Sequence, residues 1–145
     1  MLKSWMLFAR ELPTAEETEI NARQAQADFI LRKDLRMRIF HKETGEWIGC
    51  TGLLRMKWEA KRFQIGYWCH FEFAGQGYMT EALQGLIDFA RRHLNTKRLE
   101  ICCDSLNLKS RKMAERLGFQ LEAVLRNTGI LVYTQPFFSL PALNR

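Results

Sequence analysis

Apolar positions along this chain change their period several times, and each change marks an element. Residues 14–31 open with Thr14 followed three residues later by Glu17, the reciprocal pattern of a helix N-cap. Ile20, Ala27, Ile30 and Leu31 then fall near one face, which predicts a helix running to about Leu31. Leu35, Met37 and Ile39 alternate with Arg36 and Arg38, the signature of a half-buried strand. "WIGCTGLLRM" after the turn "KETGE" reads as a second strand, and "RFQIGYWCHF" as a third. Helical spacing returns at Leu83, Leu86, Ile87 and Ala90, and "ARRH" places positive charge at that helix's negative end. "KRLEICCDS" alternates Leu99, Ile101 and Cys103 as a strand. "NLKSRKMAERLGF" is a short helix, with Asn107 as N-cap and Gly118 as its stop. "FQLEAVLR" and "GILVYTQ" supply two closing strands. The order is helix, three strands, helix, strand, helix, two strands. That order predicts an α/β (α+β) fold, a mixed sheet with helices packed on it and local parallel pairing around the central crossovers.

Composition narrows the class. At 145 residues, with 47% hydrophobic and 26% charged positions, the chain has the size and balance of one globular domain over residues 1–145. No apolar run reaches the length of a membrane span, and the opening "MLKSWMLFARELP" reads as neither signal peptide nor anchor. Cys50, Cys69, Cys102 and Cys103 show no CxxC spacing, and neighbours on a strand point to opposite faces. No disulfide framework or metal site is expected, and a reducing, cytoplasmic setting suits the chain. The net charge of +6 fits an anionic ligand or a solvated basic surface equally well. No basic motif interleaved with aromatics points to nucleic acid.

The stretch "EFAGQGYMTEAL" carries the chemistry. Gly75 and Gly77, two apart, sit between a strand and an apolar-periodic helix, the context in which a backbone turn can cradle phosphate. Together, "GYWCHFEFAGQGYMTEALQGLIDFA" and "NLKSRKMAERLGFQLEAVLRN" resemble the GNAT acetyltransferase superfamily, closest to its RimJ/RimL-type branch of ribosomal-protein N-acetyltransferases. The likeness spans roughly residues 35–127. It implies the acyl-CoA N-acyltransferase fold, a central sheet splayed between two strands, with acetyl-CoA as co-substrate and no metal. The implied cofactor-binding residues are Cys69, His70, Gly75, Gln76, Gly77, Tyr78, Met79, Thr80, Asn107 and Ser110. Backbone amides of Gln76 through Thr80 would meet the pyrophosphate, and a strand N–H near Cys69 or His70 would serve the oxyanion. Ser110, matching the family's Asn-x-x-Ser, would steady the departing thiolate. Ala74 stands where the family carries Arg or Gln, and Met79 where it carries a small residue.

The base is not singled out by pattern. Glu72 and Glu122 are candidates as well as ordinary solvated carboxylates, and Tyr133 is a catalytic candidate or a core aromatic. His70 lies beside the implied thioester, whereas His41 and His93 read as strand-end and helix-end residues. Trp5, Trp47, Trp58 and Trp68 could line a groove or fill the core. Against the family the chain looks shortened at its N-terminus and in its closing hairpin. Phe137, Phe138 and Leu140 in the apolar tail would suit a homo-oligomer contact. The implied activity is transfer of acetyl to an amine, with a protein N-terminus as leading acceptor. A small amine acceptor (polyamine, amino acid or aminoglycoside) is the alternative, and a non-catalytic coenzyme A-binding module or ribosome-associated domain is the alternative of another class.

Overall fold

Every element foreseen from the pattern forms. The computed structural model describes residues 14–135; Trp5, Phe137, Phe138 and Leu140 lie outside them. Helix α1 spans Ala15–Ile30, followed by strands β1 (Leu35–Phe40), β2 (Trp47–Lys57) and β3 (Arg62–Cys69). A single tight turn, Phe71–Phe73, leads to helix α2 (Tyr78–His93). Then come β4 (Arg98–Asp104), helix α3 (Leu108–Arg116), β5 (Gln120–Leu125) and β6 (Ile130–Thr134). The six strands form one mixed sheet in the order β1-β2-β3-β4-β6-β5. Among the described strands only β3 and β4 run parallel, joined by the α2 crossover.

Strand register sorts side chains onto two faces. Leu53, Phe63, Ile65, Leu99, Ile101, Cys103, Leu131 and Tyr133 share one face and pack against Met79, Leu83, Leu86, Ile87 and Ala90 of α2 and Ala114 of α3. Cys103 belongs to this core while Cys102 faces away, as strand alternation requires. On the far face the ladder aligns Arg62 with Arg98 and Glu100 with Thr134. Glu100, only 5% exposed, is bridged there by Arg62 at 2.9 Å and Arg98 at 2.6 Å. Arg98 also holds both carboxylate oxygens of Glu122, stitching β3, β4 and β5 together.

Helix α1 begins as foreseen. The Thr14 N–H donates to Glu17 Oε1 at 2.8 Å, and the Glu17 N–H donates to Thr14 Oγ1 at 3.0 Å. Among the described residues its apolar stripe is not buried: Ile20 and Ile30 are 58% and 71% exposed. No helix among the described residues is long and apolar enough to cross a membrane.

Candidate functional site

The β3–β4 pairing ends early. Only Arg62, Phe63 and Gln64 pair with Arg98, Leu99 and Glu100, although β3 continues to Cys69 and β4 to Asp104. The two strands diverge beyond that point. The His70 N–H donates to the Ile48 carbonyl at 2.8 Å, so antiparallel alternation turns the backbone groups of Trp68 and Gly66 toward β2 as well. The backbone groups of Ile65, Tyr67 and Cys69 therefore face the gap left by β4. Of the two amides expected as oxyanion donors, the Cys69 N–H faces the gap and the His70 N–H is taken by β2.

The glycine loop ends at Gly77, the N-cap of α2, where φ of +85° is a left-handed conformation that glycine adopts without penalty. No side chain caps this helix start. The first N–H groups of a helix have no intrahelical acceptor, so those of the first turn of α2 are free for a ligand. A side chain built on Gly75 or Gly77 would meet no atom within 4 Å, which leaves the approach to the loop open. Met79 points into the core with 6% exposure, so its size does not obstruct that approach. The Tyr78 ring lies edge-on to His41 at 5.4 Å and to Phe73 at 6.0 Å, tethering the loop to the end of β1. Gln76 Nε2 donates to the Glu72 carbonyl at 3.0 Å and closes the loop on itself.

Helix α3 brings Ser110 to the gap. Asn107 caps it, Oδ1 accepting from the Ser110 N–H at 3.2 Å. The Tyr67 phenol donates to Ser110 Oγ at 3.1 Å across the divergence of the strands. Burial pushes the Tyr67 phenol above its ordinary range, the bond to Ser110 pulling the other way, so the phenol remains a donor near neutrality. The Ser110 hydroxyl can then direct its own proton outward. Burial likewise raises the Cys69 and Cys103 thiols, keeping both neutral beside the gap. Thr80 Oγ1 donates to Met113 Sδ at 3.4 Å and accepts from Arg116 Nη1 at 3.3 Å, joining the first turn of α2 to the C-terminal half of α3.

The other candidates make no hydrogen bond to this hydroxyl pair. Tyr133 is 1% exposed in the core, and Arg111 Nε donates to its hydroxyl at 3.5 Å. Glu72 is exposed on the turn before the loop. Glu122 is held by Arg98 and by the Thr134 hydroxyl, and Arg98 keeps its carboxyl below the ordinary glutamate value. Among the described residues no three His, Cys, Asp or Glu side chains gather as a metal site. Tyr67 was not among the residues foreseen, although "GYW" at the end of an alternating strand is the signal that carries it. Trp47 and Trp68, foreseen singly, come together with His70 on the far face.

A family model described as an acetyltransferase (GNAT) domain matches residues 3–120. The chain is 38% identical over 92 residues to an uncharacterized N-acetyltransferase, p20, of Bacillus licheniformis, covering 63% of this chain and 52% of that protein. It thus spans about half the length of that relative. It is 31% identical over 132 residues to the ribosomal-protein-serine acetyltransferase of Escherichia coli (strain K12), covering 89% and 73% of the two chains. The structure of RimL, a ribosomal L7/L12 alpha-N-protein acetyltransferase in complex with coenzyme A, superposes with a TM-score of 0.85 at 25% identity, covering 94% of this chain and 80% of that one.

Proposed function

Because this chain belongs to the acetyltransferase (GNAT) family, we propose that it moves the acetyl group of acetyl-CoA onto a primary amine, the α-amine of a protein N-terminus. The observation that carries this is the early end of the β3–β4 ladder, which leaves strand backbone open opposite a serine hydroxyl that a phenol already engages. Acetyl-CoA supplies an activated acetyl group on a thiol leaving group. The residues around the gap fit it. Amides of Gly77, Tyr78, Met79 and Thr80 would hold the pyrophosphate at the positive end of α2. The edge backbone of Ile65, Tyr67 and Cys69 would hold the pantetheine arm, and the Cys69 N–H would meet the carbonyl oxygen as it gains charge. Ser110 would give a hydrogen bond, and then a proton, to the departing sulfur, with Tyr67 keeping its hydroxyl aimed.

The relatives support the acceptor, since one is named for ribosomal-protein serine and the other for the α-amine of L7/L12. A polyamine acceptor would call for carboxylates around the gap. The far face instead carries Arg36, Arg38, Trp47 and Trp68 on neighbouring strands. Calorimetric titration with acetyl-CoA, followed by mass spectrometry of a peptide beginning with serine, tests the proposal. Binding followed by a 42 Da gain at the peptide α-amine is the expected outcome (about one acetyl in place of one hydrogen). Binding without transfer to any amine would mark a coenzyme A-binding module, and no binding would remove the acetyl-transfer reading.

A further inference from the structure

We propose that His70 is the base of the transfer, taking the proton of the acceptor ammonium on the far face of the sheet while Trp47 and Trp68 hold its imidazole edge-on. This rests on the acetyl-transfer reading above. The His70 ring meets Trp47 at 4.6 Å and 85° and Trp68 at 4.9 Å and 87°. The two indoles meet each other at 5.4 Å, so three rings close into one wall. Trp47 is fixed from behind, its Nε1 donating to the Gly49 carbonyl at 2.9 Å and the Arg38 guanidinium lying 5.3 Å from its ring centroid. The His70 backbone is fixed by the bond to Ile48. Among the described residues neither imidazole nitrogen has a hydrogen-bond partner. His41 differs, for its Nδ1 accepts from the N–H groups of Glu43 and Thr44.

Strand alternation places this imidazole where a base is needed. Cys69, whose N–H faces the gap, turns its side chain to the helix face beside Tyr67, and Trp68 and His70 turn to the opposite face. Ser110 thus meets Tyr67 on the helix face of the sheet, and an unpartnered imidazole stands on the opposite face. Of the carboxylates, Glu122 is held by Arg98, Asp104 Oδ1 accepts from the Leu106 N–H at 2.8 Å, and Glu72 stands exposed on the turn.

The charged and titratable groups next to this wall are Arg38, whose guanidinium lies over Trp47, Cys50, the register partner of Trp68, and Cys69 and Glu72, within two residues of His70 along the chain. Burial pushes the Cys50 and Cys69 thiols up, so neither changes charge near neutrality. The protons balance as follows. The ammonium passes one proton to the imidazole, and its freed lone pair bonds to the acetyl carbon. The carbon–sulfur pair leaves with sulfur as the nitrogen sheds a second proton. Sulfur takes one proton through Ser110, and His70 gives the other to water.

The test uses full-length protein, acetyl-CoA and a peptide beginning with serine. His70→Ala should bind acetyl-CoA within about twofold of wild type, because the imidazole does not face the helix side, yet transfer acetyl about 100-fold more slowly. Added imidazole should restore part of the lost rate to His70→Ala, which a merely structural residue would not allow. Any rise of kcat with pH that wild type shows should be absent from the variant. If His70→Ala weakens acetyl-CoA binding, His70→Gln, which keeps a wedge between the indoles, is compared by the same criteria. A variant within threefold of wild type at every pH overturns the base role and leaves the acetyl-transfer reading standing. Wild type that binds acetyl-CoA but transfers nothing overturns both.

Discussion

Gly77 separates backbone strain from charge in the proposed phosphate cradle. Its φ of +85° is one that L-residues avoid at a cost of about 1–2 kcal/mol, with Asn and Asp the least penalised. A side chain there meets no atom within 4 Å, so no clash adds to that cost. Gly77→Asn and Gly77→Asp should therefore lose similar stability, about 3 °C of melting temperature per kcal/mol for a chain of this size. They differ in one negative charge. A carboxylate about 5 Å from a phosphate charge costs roughly 1–3 kcal/mol for an effective dielectric between water and a protein surface. That corresponds to roughly a 5- to 150-fold weaker Kd for acetyl-CoA in the aspartate variant than in the asparagine variant. Calorimetry at low salt should show this difference, and added salt should shrink it. Equal affinities for acetyl-CoA in the two variants, at equal melting temperatures, would refute a phosphate at the start of α2.

Tyr67→Phe removes one hydroxyl and keeps the ring, so stability should change by about 1 kcal/mol or less while kcat falls about tenfold with an unchanged KM for acetyl-CoA; steady-state kinetics beside a thermal melt would check both. Phe63→Ala empties a fully buried position and should cost about 3–5 kcal/mol, seen as a melting temperature lowered by roughly 10 °C or more. Glu122 has its pKa lowered chiefly by Arg98, so its stabilising effect is fully present above the ordinary glutamate value of 4.5 and is lost as pH falls through the lower folded value. Thermal melts should thus show wild type losing its margin over Glu122→Gln on acidification, with a smaller margin throughout at high salt because the carboxylate is 44% exposed.

The readable parts of this site are those that backbone alone supplies. Gly77 announces its conformation by being glycine, and Asn107 and Gly118 mark the two ends of α3 by local hydrogen bonding, all within a few residues of chain. The same locality made the capping box at Thr14 visible. Side-chain pairs across the sheet are another matter. Tyr67 and Ser110 are 43 positions apart and meet only because α2 carries the chain back to a parallel strand. Arg98 and Glu122 are 24 apart, and from the string alone Glu122 was as fair a candidate base as any. Trp47 and His70 touch because the β1–β2 register shifts between Ile39 and Phe40, which puts Trp47 rather than Ile48 opposite Phe40, and unbroken alternation from Gly49 would send Trp47 to the other face. The apolar stripe of α1 fails in the reverse sense: periodicity records which face could be buried, and burial needs a partner that periodicity does not describe. In this chain the residues proposed to hold the phosphates were therefore open to a reader of the sequence, since amides are present at every position and glycine tells where they are exposed. Those proposed to move protons were not, because proton transfer depends on which two side chains the sheet brings within 3 Å or so, and no single segment contains both.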